Sequence, residues 1–156
     1  MKPLQQRELR IALDPFTWTT ADIPPDAGIY GPVDYGWHAY NEDPGVFTFG
    51  AGMLASTPIH GARRLVFCGY SPLWETFYIS SMGGAAFSFR HVGVNYVRLS
   101  GRAARTSVLL LNHDGSGPTV RLEPIDDAAS IWAGYKAPDG ETLLGVYALQ
   151  QAMIDR

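Results

Sequence analysis

Small residues crowd the stretch from Gly52 to Ala103, GMLASTPIHGARRLVFCGYSPLWETFYISSMGGAAFSFRHVGVNYVRLSGRA, between runs that favour strands. The strand-like run RLVFC opens on an Arg pair, and a Ser-Pro turn and the patch Ser80–Ala86 separate it from the later NYVRL. β-branched and aromatic runs this short, each bounded by Gly, Pro or Ser, read as strands. A backbone so bare of side chains between them can approach something flat and anionic.

Elsewhere the pattern is similar. Leu9–Leu13, Val46–Phe49, Arg64–Cys68 and Glu75–Ile79 read as strands, and Asp14-Pro15 ends the first. Ile23–Tyr40, IPPDAGIYGPVDYGWHAY, is dense in Pro, Gly and aromatics and predicts a loop or irregular ribbon. Gly83–His91 predicts a helix, capped by Ser80 or Ser81 and ended by Gly93. Asn95–Leu99 and Thr106–Leu111 follow as strands around a Gly101 turn. Asp114-Gly115 signals a hairpin returning through Thr119–Leu122. Glu141–Arg156 predicts an amphipathic helix, with Leu143, Leu144, Val146, Tyr147, Leu149, Met153 and Ile154 as its apolar face. That helix runs to the last residue with no capping signal after it. This is the pattern of a fragment, or of a subunit whose partner continues the structure.

The length of 156 residues suits one domain. With 46% apolar and 17% charged residues the chain is of the folding kind, and 12% aromatics imply apolar surface that a partner covers. The net charge of −3 supplies no overall basic field for nucleic acid or an anionic membrane. No apolar stretch nears the roughly 18 residues of a spanning helix, and MKPLQQRELRIAL lacks the apolar centre of a signal peptide. A soluble, cytoplasmic protein is expected. The one cysteine, Cys68, lies in an apolar run and reads as a buried small hydrophobe.

Candidate chemistry is sparse. His38, His60, His91 and His113 share no metal-ligand spacing, and no GxSxG, P-loop or GxGxxG is present. Asp126-Asp127 reads as a cap or turn. Arg63-Arg64 has two readings: surface cations on opposite faces of a strand, or a fork for a bidentate phosphate contact. Ser80–Ala86 has two as well. Its small side chains leave backbone N–H groups open to an anion, or they allow tight packing at a strand-to-helix turn.

Taken together, these pieces resemble the N-terminal domain of the tungsten-containing aldehyde ferredoxin oxidoreductase family, from about Val46 to Leu111. Gly52-Met53-Leu54-Ala55-Ser56-Thr57 matches its Gly-Pro-Leu-Thr-Gly type segment, with Met53 in place of the usual Pro. Gly61-Ala62-Arg63-Arg64 matches its Gly-Gly-Arg piece, and Ser71-Pro72-Leu73-Trp74 its Ser-Pro-Leu-Thr. Ser81-Met82-Gly83-Gly84 matches its Asn-Ser-Gly-Gly type patch. Gly93, Asn95–Leu99 and Gly101-Arg102-Ala103 match the closing helix end, strand and Gly-Lys-Ala turn. Ala129-Ser130-Ile131-Trp132 resembles the segment before the family's next helix.

The resemblance implies an α+β domain of two related, intertwined halves, forming a base for a tungsten or molybdenum bis-pyranopterin. It implies that Arg64 pairs with a pterin phosphate, with Gly83 and Gly84 beside it. It also implies that the Ser81 main-chain carbonyl helps hold a magnesium ion between the pterin phosphates. The parent enzyme would oxidise aldehydes to carboxylic acids and pass electrons through a 4Fe-4S cluster to ferredoxin. The chain departs from the pattern at GIYGPVDYGWHAY, which has neither the family's Gly-Gly-Arg-Gly-Leu-Gly piece nor an evident helix pattern. It also lacks cluster cysteines and Asp-x-x-Gly-Leu motifs, so catalysis by this chain alone is not expected. The expected partners are the remaining domains or subunit of the parent, with ferredoxin for the whole and possible homo-oligomers. The alternative is a structural or interaction domain that keeps the fold without the cofactor.

Overall fold

The computed structural model describes residues 5–156 and divides into two compact units. The first unit runs to Ala103 and includes Leu111–Arg121; the second holds Ala104–Leu110 and Leu122–Arg156. The architecture is α+β, as expected, with a mixed sheet and few helices.

A six-stranded sheet dominates the first unit. Strands β1 (Gln6–Leu13) and β2 (Phe16–Ile23) form an antiparallel hairpin through a cis Asp14–Pro15 bond. Helix α1 (Pro32–Glu42) follows, then β3 (Phe47–Ala51), β4 (Leu65–Ser71) and β5 (Thr76–Met82). A five-residue helix, α2 (Ala85–Phe89), and a 3-10 turn lead to β6 (Tyr96–Ser100). The sheet order is β2-β1-β6-β3-β4-β5, so β6 inserts between β1 and β3. It runs parallel to β1, pairing Glu8 with Tyr96 and Leu9 with Val97, and antiparallel to β3. The register brings Leu9, Ile11 and Val97 together at 0–1% exposure. Gln6 and Glu8 fall on the alternate side of the pleat and are buried too.

Helix α1 corrects the loop expected across Ile23–Tyr40. Pro, Gly and aromatic density suggested irregular chain, but Pro32 sits in the first turn, where its missing N–H costs nothing and its fixed φ suits a helix. Asp34 adds a first-turn acid, and Tyr35, Gly36 and Ala39 turn toward the sheet. Gly36 is required by proximity: a Cβ there would lie 2.4 Å from Cys68 Cβ and 3.0 Å from Thr48 Oγ1. Tyr35 stacks on Tyr96 at 4.6 Å and donates its hydroxyl to Glu8 Oε2 at 2.5 Å. Arg10 also pairs with Glu8, so the buried carboxylate is fully partnered.

Strand β7 (Ser107–His113) and β8 (Pro118–Pro124) form a two-stranded ribbon. Its Asp-Gly tip closes as expected. Asp114 Oδ1 accepts from the Ser116 N–H, the Ser116 hydroxyl and the Gly117 N–H at 2.9, 2.7 and 3.2 Å.

The second unit also holds α3 (Ala128–Ala133), the short strands β9 (Tyr135–Lys136) and β10 (Thr142–Leu143), and α4 (Gly145–Ile154). Residues 129–132 lie within α3, and α4 follows as the next helix. The final helix is shorter than expected, and only part of its expected apolar face, Leu143, Leu149 and Met153, packs against the core. Ala148 and Ala152 pack against Ile125 and Ile131, while Leu144, Val146, Tyr147 and Ile154 stay 60–70% exposed. Small side chains at the α3–α4 seam let the two axes approach.

Candidate functional site

The β4–β5 hairpin builds the site. Register pairs Leu65 with Met82 and Val66 with Ser81, so Arg64 and Gly83 extend the hairpin at its open end. Arg64 Nη1 donates to Ser81 Oγ at 3.3 Å. That one neutral contact leaves most of the five guanidinium donors for another acceptor. Both residues are exposed, and β5 is the edge strand, with no strand partner on its outer side.

Gly83 and Gly84 follow directly. A Cβ built on either meets nothing within 4 Å, so their backbone faces open space rather than a tight packing contact. Gly84 has φ +81°, a left-handed turn that favours glycine, and it stands at the N-cap of α2 with no side-chain cap bond. Two expectations are corrected here. Ser80 and Ser81 belong to β5, because edge pairing carries the strand through to Met82, and neither caps α2. The two glycines precede the helix instead of filling its first turn, and five residues make too short a helix for its dipole to matter. Gly93 does end the helical segment, at φ +82°.

Arg63 and Arg64 lie in the approach to β4, not within it, so strand alternation does not set their directions. They nevertheless diverge. Arg64 meets Ser81, whereas Arg63 lies over the Phe87 ring at 5.1 Å. The structure thus brings Arg64, Ser81, Gly83 and Gly84 together at one end of one hairpin. Sequence reading missed Arg90, whose guanidinium lies 4.2 Å from the same Phe87 ring. Its three-residue spacing from Phe87 on a helix was the available signal.

Several other titratable residues have structural partners. Arg105 holds Asp126, and the Arg156 guanidinium bonded to Asp127 keeps that carboxyl below its ordinary range. Cys68 is 2% exposed, and burial pushes its thiol up to about 11, as a small hydrophobe rather than a nucleophile. Among the described residues no group of three His, Cys, Asp or Glu is placed to hold a metal ion. A separate cavity of about 310 Å³ is lined by Glu8, Arg10, Tyr35, His38, Glu42 and Arg98. Its Arg98 pairs with Glu42 at 2.6 Å. No helix among the described residues is long and apolar enough to cross a membrane.

Comparison with known proteins gives a consistent picture. The family model for the aldehyde ferredoxin oxidoreductase N-terminal domain matches residues 29–151. A glyceraldehyde-3-phosphate:ferredoxin oxidoreductase from Pyrococcus furiosus is 36% identical over 122 residues, covering 74% of this chain and 18% of its own length. An uncharacterized protein from Methanocaldococcus jannaschii is 42% identical over 95 residues, 54% of this chain and 15% of its own length. Among solved structures, the active-site complex BamBC of benzoyl coenzyme A reductase, in complex with 1,5-dienoyl-CoA, superposes with a TM-score of 0.71. The identity there is 18%, covering 97% of this chain and 23% of the other, so the likeness is one of fold. The chain spans less than a fifth of the length of the curated relatives it matches.

Proposed function

The chain belongs to the aldehyde ferredoxin oxidoreductase N-terminal domain family, and from that premise we propose that it anchors the phosphates of a tungsten or molybdenum bis-pyranopterin within a larger ferredoxin oxidoreductase. The observation that carries this reading is the meeting of Arg64 with Ser81 beside the unobstructed Gly83-Gly84 backbone. A guanidinium with spare donors and bare backbone suits phosphate oxygens, so the donor set fits the group. Arg64 would take one phosphate, Gly83 and Gly84 would let the ligand come close, and the Ser81 carbonyl would face the magnesium between the phosphates. No side chain here is assigned to the tungsten or molybdenum itself.

When bound, the cofactor supplies the redox chemistry. The parent would oxidise an aldehyde to a carboxylic acid in the cytoplasm, with electrons leaving through a 4Fe-4S cluster to ferredoxin. The cluster ligands and the rest of the active site would come from the other domains, so this chain alone has no turnover. The name of the Pyrococcus relative, a ferredoxin oxidoreductase of a phosphorylated aldehyde, supports the reaction class. A second reading, a domain that keeps the fold without the cofactor, draws on the start of α1, where Gly31-Pro32 offers no cation.

One experiment separates the two. The full-length parent is purified anaerobically, as wild type and as Arg64→Ala, and assayed for tungsten, molybdenum and phosphorus. The proposal expects about one metal per wild-type chain and at least a tenfold drop in the variant, the loss of one charged bidentate contact. Full metal content in the variant would remove Arg64 from the anchor, and a metal-free wild type would establish the second reading.

A further inference from the structure

Helix α1 packs mainly over β3 and β4. Beside it, on the same face of the sheet, the register sets out two rows across β2, β1 and β6. One row is Thr19–Arg10–Arg98 and the next is Thr17–Ala12–Ser100. Paired residues on neighbouring strands project to one face, so the two arginines stand side by side. In the second row only the Ala12 methyl stands between two hydroxyls. A cavity of about 190 Å³ lies there, lined by Arg10, Arg98, Thr17, Thr19, Ala12 and Ser100. Among the described residues no carboxylate lines it.

Each guanidinium has a carboxylate outside this cavity, and neither is used up by it. Arg10 bonds Glu8 Oε1 through Nε and Nη2, which leaves its Nη1 donors. Arg98 donates from Nη1 alone, to Glu42 Oε2 at 2.6 Å. The Arg98 side chain is 19% exposed, whereas that of Glu42 is 67% exposed and screened by water. Glu42 therefore offsets only part of a largely buried charge, and like charges paired across strands repel. The hydroxyls are also weakly engaged. Ser100 Oγ reaches only the Ile11 carbonyl, at 3.5 Å, and Thr17 and Thr19 make no side-chain hydrogen bond among the described residues. Two guanidiniums and three hydroxyls thus line one hollow and share no carboxylate within it.

We propose that Arg10, Arg98, Thr17, Thr19 and Ser100 form a binding site for a phosphate group. A carboxylate is planar and is satisfied by a single guanidinium fork. A phosphate presents its oxygens in several directions, which donors on three strands meet from different sides. Its charge, about −1.5 to −2 for a monoester at pH 7, draws on both cations at once. The site lies toward the β2 end of the sheet and uses no residue of the Arg64–Ser81 hairpin on β4 and β5. It goes beyond the function proposed above and does not depend on it. Free phosphate and the phosphate of a small ester share this chemistry.

The test titrates the anaerobically purified full-length parent calorimetrically with inorganic phosphate and with methyl phosphate, at low ionic strength. Wild type is compared with Arg98→Gln, Thr19→Val and Glu42→Gln. Binding should weaken about tenfold or more in Arg98→Gln, which loses a charge-assisted contact, and about two- to tenfold in Thr19→Val, which loses one hydroxyl. Glu42→Gln should bind more tightly, because it releases the Arg98 donor, whereas a purely structural charge network gives no tightening. Methyl phosphate bound at least as tightly as inorganic phosphate assigns the site to an ester, and tighter binding of inorganic phosphate assigns it to the free ion. No uptake of either by wild type overturns the proposal, as does unchanged affinity in Arg98→Gln. Should Arg98→Gln fail to fold, Thr19→Val and Glu42→Gln decide, since both replace exposed side chains. Failure of the pterin anchor has a different signature, full metal in Arg64→Ala, and leaves these titrations intact.

Discussion

Glu8 is a buried carboxylate in a chain with little charge, and its partners are fixed. Tyr35 and Arg10 take its two oxygens, while next to it the Tyr96 hydroxyl donates to Gln6 Oε1 at 2.6 Å. Burial, then the bond to Glu8, drives the Tyr35 phenol well above its ordinary range, and burial pushes Tyr96 up to about 12. Both folded values exceed the unfolded value near 10, so the unfolded chain loses these protons first as pH rises. Stability from the two phenols is therefore complete below about pH 10 and declines above it. Urea unfolding at pH 8 and pH 11 should show a loss of about 1 kcal/mol per tyrosine, and Tyr96→Phe should shrink the difference. An equal pH dependence in wild type and variant would mean that Tyr96 is not held neutral by the fold. At this scale the nearness of Arg64 to Ser81, Gly83 and Gly84 was legible, because a hairpin is local. That Arg63 and Arg90 share the Phe87 ring was not, because it depends on separate segments meeting in space.

Helix α1 is the element where local signals were outweighed. Its Gly36 is a poor helix former, costing about 1 kcal/mol relative to alanine, and by propensity alone Gly36→Ala should stabilise the protein. The 2.4 Å approach to Cys68 Cβ reverses that expectation. The neighbour is a strand residue in the centre of the sheet, which cannot step aside without moving β4. We expect Gly36→Ala to lower stability by about 1–3 kcal/mol, the usual cost of overpacking, as measured by chemical denaturation. A gain in stability would mean that α1 sits less closely on the sheet. The β4–β5 hairpin behaved otherwise. Its two strands and Ser-Pro turn were readable from sequence, since each run is bounded by its own breakers, but the extensions of β4 through Gly69–Ser71 and of β5 through Ser80–Met82 were missed.

For the whole molecule the exposed apolar surface is the feature to explain. Leu73 is 83% exposed, Trp74 54% and Tyr78 51% on the first unit, and Tyr147 70% on the second. Where such side chains adjoin, as Trp74 and Tyr78 stacked on the first unit do, they mark an interaction surface. The 156-residue chain by itself should therefore show concentration-dependent self-association in sedimentation velocity, and Leu73→Glu with Trp74→Glu should reduce it. A chain that stays monomeric at high concentration would show that these side chains are tolerated by water. What the sequence by itself determined was the α+β class, most strands and the Asp114 turn. Each of these rests on neighbours a few positions apart, where propensity and turn chemistry act directly. Only the tertiary structure decided that 32–42 is a helix, that β6 inserts beside β1, and that α4 buries Ala148 and Ala152 most deeply while Val146, Tyr147 and Ile154 stay exposed. Those outcomes depend on partners such as Glu8 and Tyr96, far apart in the chain, whose contact is favourable only after the intervening loop has closed and the shared surface has left water.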